Sequence, residues 1–102
     1  MYIYLMNGFY LGFISNGYLY SRDGICLGWL EDEKFVWDLD GKFRGSLYEA
    51  KNKYHYIIKR RFGLPPLSRP NKGPIPSISP LAPPENIKPI DLGVEIIDGF
   101  TL

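Results

Sequence analysis

The chain is poor in the residues from which most small-domain chemistry is built. It has one cysteine, Cys26, so no disulfide can form within it, and one histidine, His55, which leaves most metal sites without ligands. Proline is absent before Pro65, and all nine prolines lie between there and Pro89. Charged side chains are absent before Arg22, and the net charge over 102 residues is +1. That balance gives no argument for nucleic acid, membrane or an acidic substrate as partner. The uncharged start invites a membrane or signal-peptide reading and fails both. It has no basic n-region and no small-residue cleavage site, and Asn7-Gly8 and Ser15-Asn16-Gly17 would interrupt a spanning helix. The expectation is a cytoplasmic protein with no membrane partner, no metal and no cofactor.

What the chain does have is aromatic residues, and fifteen of the sixteen lie in residues 1–62. The length allows one domain. It divides into an aromatic, proline-free part, 1–62, and a proline-rich extended arm, 63–102, that ends in a possible strand. The first part is an internal repeat. Tyr2-Ile3-Tyr4 is followed by Asn7-Gly8, Gly12 and Ile14; Tyr18-Leu19-Tyr20 by Asp23-Gly24, Gly28 and Leu30; Phe35-Val36-Trp37 by Asp40-Gly41, Gly45 and Leu47. The copies start at 2, 18 and 35, a spacing of 16–17 residues, and a fourth opens with Tyr54-His55-Tyr56 but meets Lys59-Arg60-Arg61 where its turn should be.

Asn-Gly and Asp-Gly favour type I′ hairpin turns, so each copy reads as a two-stranded hairpin and the whole as an all-β antiparallel meander of about seven strands. Two-residue loops place Ile3 opposite Gly12, Leu19 opposite Gly28 and Val36 opposite Gly45, a site too crowded for a second side chain. A further turn at Asn16-Gly17 sets Ile14 against Leu19. A three-residue loop, Asp32-Glu33-Lys34, sets Leu30 against Val36 and Trp29 against Trp37. One face then holds Ile3, Leu5, Ile14, Leu19, Leu30, Val36, Leu47 and Ile57. The other is aromatic, with Tyr2, Trp29 and Trp37 as its candidate interaction face. A sheet with one wet face alternates apolar with polar; this one does not, so the aromatic face needs a cover.

These residues carry a resemblance. Leu19-Tyr20-Ser21-Arg22-Asp23-Gly24, Leu27-Gly28-Trp29-Leu30 and Trp37-Asp38-Leu39-Asp40-Gly41 resemble the bacterial 4-fold β-flower family over about residues 2–58. The resemblance implies four-fold-related β structure, within a chain or between chains, and brings no catalytic or binding residues with it. Two apolar faces on a small sheet already lead to the expectation of a homo-oligomer, and the resemblance puts a tetramer before a dimer.

The arm carries Leu64, Leu67, Ile75, Ile78, Leu81, Ile87 and Ile90 among its prolines, more aliphatic content than a solvated linker needs, which makes it the natural cover. Its PxxP, Pro80-Leu81-Ala82-Pro83, lacks the flanking cation of an SH3 ligand. Gly93-Val94-Glu95-Ile96-Ile97 reads as one more strand, able to add to a sheet edge, ended by Asp98-Gly99.

Little in the chain suggests catalysis. His55 has no nucleophile or carboxylate beside it in sequence, Cys26 reads as a buried structural thiol, and Asp23 and Asp40 are explained by turn geometry. Glu31-Asp32-Glu33 reads as a solvated loop. Lys51, Lys53, Lys59, Arg60 and Arg61 interleave with Tyr54 and Tyr56, the pattern that holds single-stranded nucleic acid by phosphate contact and base stacking, although a solvated strand edge has the same composition. The expected role is a self-assembling structural or interaction module, not an enzyme, with an unknown protein partner allowed and nucleic-acid binding as the alternative.

Overall fold

The computed structural model describes residues 1–63 and 68–101; the arm's opening Leu64-Pro65-Pro66 and Leu67 lie outside them. Eight strands follow in chain order: β1 (Tyr2–Tyr4), β2 (Tyr10–Ser15), β3 (Tyr18–Ser21), β4 (Cys26–Glu31), β5 (Phe35–Asp38), β6 (Phe43–Glu49), β7 (His55–Arg60) and β8 (Ile96–Asp98). Each pairs antiparallel with the next. β1 also pairs parallel with β7, Ile3 against His55 and Tyr4 against Tyr56, which closes a seven-strand barrel. Seven is odd, so the last wall strand runs in the direction of the first, and closure has to be parallel. β8 takes the rest of the same β7 edge, with Asp98, Ile97 and Ile96 against Ile58, Lys59 and Arg60.

The cross-strand pairs are those the repeat dictates. Ile3 faces Gly12, Leu19 faces Gly28, Val36 faces Gly45, Ile14 faces Leu19, and Leu30 and Trp29 face Val36 and Trp37. The eight aliphatic residues of one face fill the barrel together with Leu11, Leu27 and Phe100. The turn chemistry differs from expectation. At the Asx-Gly tips only the glycines have positive φ, while Asn7, Asp23 and Asp40 do not. The loops are three residues long: Leu5 N–H donates to Phe9 O and Gly8 N–H to Leu5 O, with the same pair of bonds at Ser21–Ile25 and Asp38–Lys42. This is a type I turn completed by a left-handed glycine. The extra loop residue shifts the register by one. A β-bulge then restores it, because Leu11, Leu27 and Arg44 are left without partners between Ile3/Tyr4, Leu19/Tyr20 and Val36/Trp37 and their opposite strands. At Asn16-Gly17 both φ values are positive, 51° and 81°, as a type I′ turn requires.

The fourth repeat is complete, but its halves are far apart in sequence. It opens at Tyr56-Ile57-Ile58, two residues later than Tyr54-His55-Tyr56 suggested. Its second strand is β8, where Gly99 N–H donates to Ile57 O at 2.9 Å. Ile3, Leu19, Val36 and Ile57, each at most 2% exposed, therefore form one core layer with one residue from each hairpin, or petal. The four-fold relation lies within one chain. The glycines are needed because the next strand's backbone crowds them: a Cβ on Gly12 would fall on the Tyr20 carbonyl oxygen and one on Gly28 on that of Trp37.

Candidate functional site

Because the strands alternate in direction, the three Asx-Gly tips share one end of the barrel, and the arm passes all of them in reverse order. Arg69 N–H donates to Gly41 O, Ile78 N–H to Gly24 O and Ile87 N–H to Gly8 O, each at 2.9 Å. The three anchors are nine residues apart, and the next step of nine reaches Ile96, where β8 begins. In each case the anchor's own carbonyl oxygen lies where a Cβ on the tip glycine would be. Glycine is thus required twice at the tips, for φ between +83° and +93° and for the close approach of the arm. Lys72 N–H donates to Leu39 O and Ile90 N–H to Met6 O, so two of the anchors are followed three residues later by a second bond.

Between anchors the arm covers the aromatic exterior. Ile75 packs beside Phe13, Tyr20 and Cys26, and Ile87 and Ile90 against Tyr4, Tyr10 and Tyr56. The three rings of the candidate face all meet the arm. Tyr2 Oη donates to Ala82 O at 3.1 Å, the Lys72 ammonium lies 4.5 Å from the Trp29 ring centre, and the Arg69 guanidinium 4.8 Å from that of Trp37. The two indoles stack at 6.3 Å. Arg69 also holds both Glu31 carboxylate oxygens, at 2.8 and 2.9 Å. That forked hydrogen bond draws the Glu31 carboxyl below its ordinary range and raises Arg69 in turn. The first anchor is therefore ionic and aromatic, whereas the second and third are aliphatic.

The fourth tip is different because β7 leaves it and β8 enters it through the arm. Arg61 N–H donates to Glu95 O and Arg61 Nε to Val94 O. Phe62 and Val94 stand there 83% and 86% exposed. Beside them is a groove of about 550 Å³ lined by Phe43, Ser46, Ile58, Lys59, Arg60, Arg61, Gly63, Ile96 and Ile97. Below it, Asp98 accepts the Met6 N–H, and burial pushes its carboxyl up. Phe100 seals the core, with the Arg44 guanidinium 4.6 Å from its ring centre and Arg44 Nε donating to Gly99 O.

The basic and aromatic residues of segment 48–62 do not form one strip. Lys51, Lys53 and Tyr54 lie in or beside the β6–β7 loop, while Lys59, Arg60 and Arg61 lie at the far end of β7, about 20 Å away at the rise of a strand. Tyr56 is fully buried, its hydroxyl accepting from Asn52 Nδ2, and offers no face to a base. His55 Nε2 lies 3.5 Å from Glu49 Oε2, a pair that follows from their being direct cross-strand neighbours. The Cys26 thiol is buried, and desolvation pushes its pKa up, the environment of an inert thiol. Among the described residues no group of three or more His, Cys, Asp or Glu side chains is placed to hold a metal ion, and no helix is long and apolar enough to cross a membrane. The sequence reading missed the anchors. Their signal was Ile-x-Pro at Ile78 and again at Ile87, hidden at the first anchor, where Arg69-Pro70 stands instead.

Comparison with curated proteins and with solved structures gives no match. Residues 1–93 match the family described as 4-fold beta flower protein. The match takes in the first seven strands and all three arm anchors, and four petals are what the barrel contains: the chain belongs to the 4-fold beta flower family.

Proposed function

We propose that this protein is a non-catalytic, self-associating interaction module whose contact chemistry is the uptake of an extended chain along the tips and on the β7 edge. The observation that supports this reading is the arm. Residues 69–100 are held through backbone hydrogen bonds to the tip glycines Gly41, Gly24 and Gly8 and through strand pairing on β7, the last being the manner in which sheet edges take up added strands. Such contacts read backbone and shape, so the arm of a second copy satisfies them as well as the chain's own. Reciprocal exchange of arms joins copies without a new surface, and it closes at two. A tetramer is not required for four-fold symmetry, since each chain carries its own four petals. Light scattering at micromolar concentration tests the reading. The expected mass is that of two chains, and tagged and untagged protein should form mixed species after partial unfolding and refolding. The mass of a single chain throughout the micromolar range would refute self-association.

A further inference from the structure

The groove at the fourth tip differs from its counterparts around the barrel. Where petals one and two meet, Phe13 and Tyr20 lie beside Ile75 of the arm. Where two and three meet, Lys72 and Arg69 lie over Trp29 and Trp37. Where four and one meet, Ile87 and Ile90 pack on the cluster of Tyr4, Tyr10 and Tyr56. Where three and four meet, the floor is Phe43, Ser46 and Ile58, and none of residues 68–95 lines the groove. Its volume, about 550 Å³, is in the range of ligand pockets. Its walls are Ile96 and Ile97, and its rim is Lys59, Arg60 and Arg61. The ion pairs formed among the described residues are Arg44–Asp38, His55–Glu49 and Arg69–Glu31, so none of the three rim cations is neutralised by one. Phe62, next in sequence to Arg61, and Val94, whose carbonyl accepts from Arg61 Nε, are both exposed apolar side chains.

We infer that this groove is a binding site for an extended, aliphatic and acidic peptide segment of another protein. The quasi-equivalent positions define the shape of the occupant: at two of the three junctions an extended chain sets isoleucine side chains against the outer face. The rim defines its charge. Three cations over an apolar floor select carboxylates flanking the aliphatic residues, and charge-assisted contacts to Arg60 and Arg61 fix its direction. The site is separate from the tip contacts, and its Ile96 and Ile97 walls are the same whether β8 comes from the chain itself or from an exchanged arm.

The test is a titration of the full-length protein with a fluorescein-labelled peptide alternating isoleucine, proline and glutamate. It is read by fluorescence polarisation and by backbone amide shifts. Saturable binding is expected, with shifts centred on Phe43, Ser46, Ile58, Ile96 and Ile97. Arg60→Glu, at an exposed site, should weaken binding at least tenfold, whereas Lys51→Glu with Lys53→Glu, at the opposite end of the barrel, should leave it unchanged. A second control needs no variant: replacing the peptide's glutamates with glutamine should weaken binding by a similar factor. Equal affinity for the neutral peptide overturns the inference. So does the absence of shifts at millimolar peptide, which would mean that the chain itself closes the groove. Tighter binding of an oligothymidylate with the same shifts and the same sensitivity to Arg60→Glu would make this a nucleic-acid site and overturn the peptide assignment.

Discussion

Gly17 and Gly24 form a matched pair for measuring what the arm contributes. Both sit at hairpin turns with nearly the same left-handed φ, +81° and +83°. A Cβ on Gly17 meets nothing within 4 Å, whereas one on Gly24 falls on the Ile78 carbonyl oxygen. Gly17→Ala therefore carries only the left-handed penalty, about 1–2 kcal/mol. Gly24→Ala carries the same penalty and also pushes the arm off its tip. The Ile78 N–H to Gly24 O bond is lost with it, about 1 kcal/mol net for a neutral pair. The expected total at Gly24 is about 2–3 kcal/mol. Urea unfolding followed by the fluorescence of Trp29 and Trp37 measures both variants in one assay. With a slope of about 1.5 kcal/mol per molar for a domain of this size, the midpoints should differ by roughly 0.7 M. Coincident midpoints would mean that the arm does not bear on the second tip in solution.

Three further outcomes follow from the packing and the charges. The Glu31 carboxyl is drawn below its ordinary value of 4.5 by Arg69, so its contribution is complete above that pH and is lost as pH falls through the lower folded value; an acid titration of the stacked indoles should show the first anchor releasing, and Glu31→Gln should remove that step. Phe100→Ala empties a core position that is 7% exposed, with an expected cost of about 3 kcal/mol and early hydrogen exchange in Ile96–Asp98; protection equal to the native protein would contradict the role given to β8. Gly28→Val forces a side chain onto the Trp37 backbone carbonyl, which cannot rotate away, so its cost should reach the top of the overpacking range, about 3 kcal/mol, as a lowered melting temperature.

The hairpin register was legible because it depends on side-chain alternation, which tolerates an error in the turn. Reading Asn7-Gly8 as a two-residue loop omits one loop residue, and the bulge at Leu11 compensates for it, so Ile3 meets Gly12 either way. Leu11 and Leu27 were not legible as core, since strict alternation places them outside and only the bulge turns them inward. Gly99 was hidden for another reason. Its partner Ile57 lies across the whole arm, and local pattern says nothing about a pairing that distant. Of the groove, Lys59, Arg60 and Arg61 were conspicuous in the sequence, and Phe43 and Ser46 come beside them through the pairing of β6 with β7, but Ile96 and Ile97 are brought there only by β8, from the far end of the arm.

The order in which the arm meets the tips has a consequence for the time course of folding. Gly41 is the tip nearest the arm in sequence, Gly24 is next and Gly8 is the farthest. Each contact made shortens the free chain that the next must close, so the closure entropy is spread over small successive steps. The hairpins need only local contacts and can form early; the arm can then zip past them from the third petal to the first. β8 comes last. Until it docks, half of the β7 edge stays open, and the core at Ile57 lacks Phe100. The slowest phase of folding should therefore report on residues 96–100, and the newly folded chain still has this stretch of β7 unpaired at the moment when its own last strand, or a neighbour's, is free to reach it.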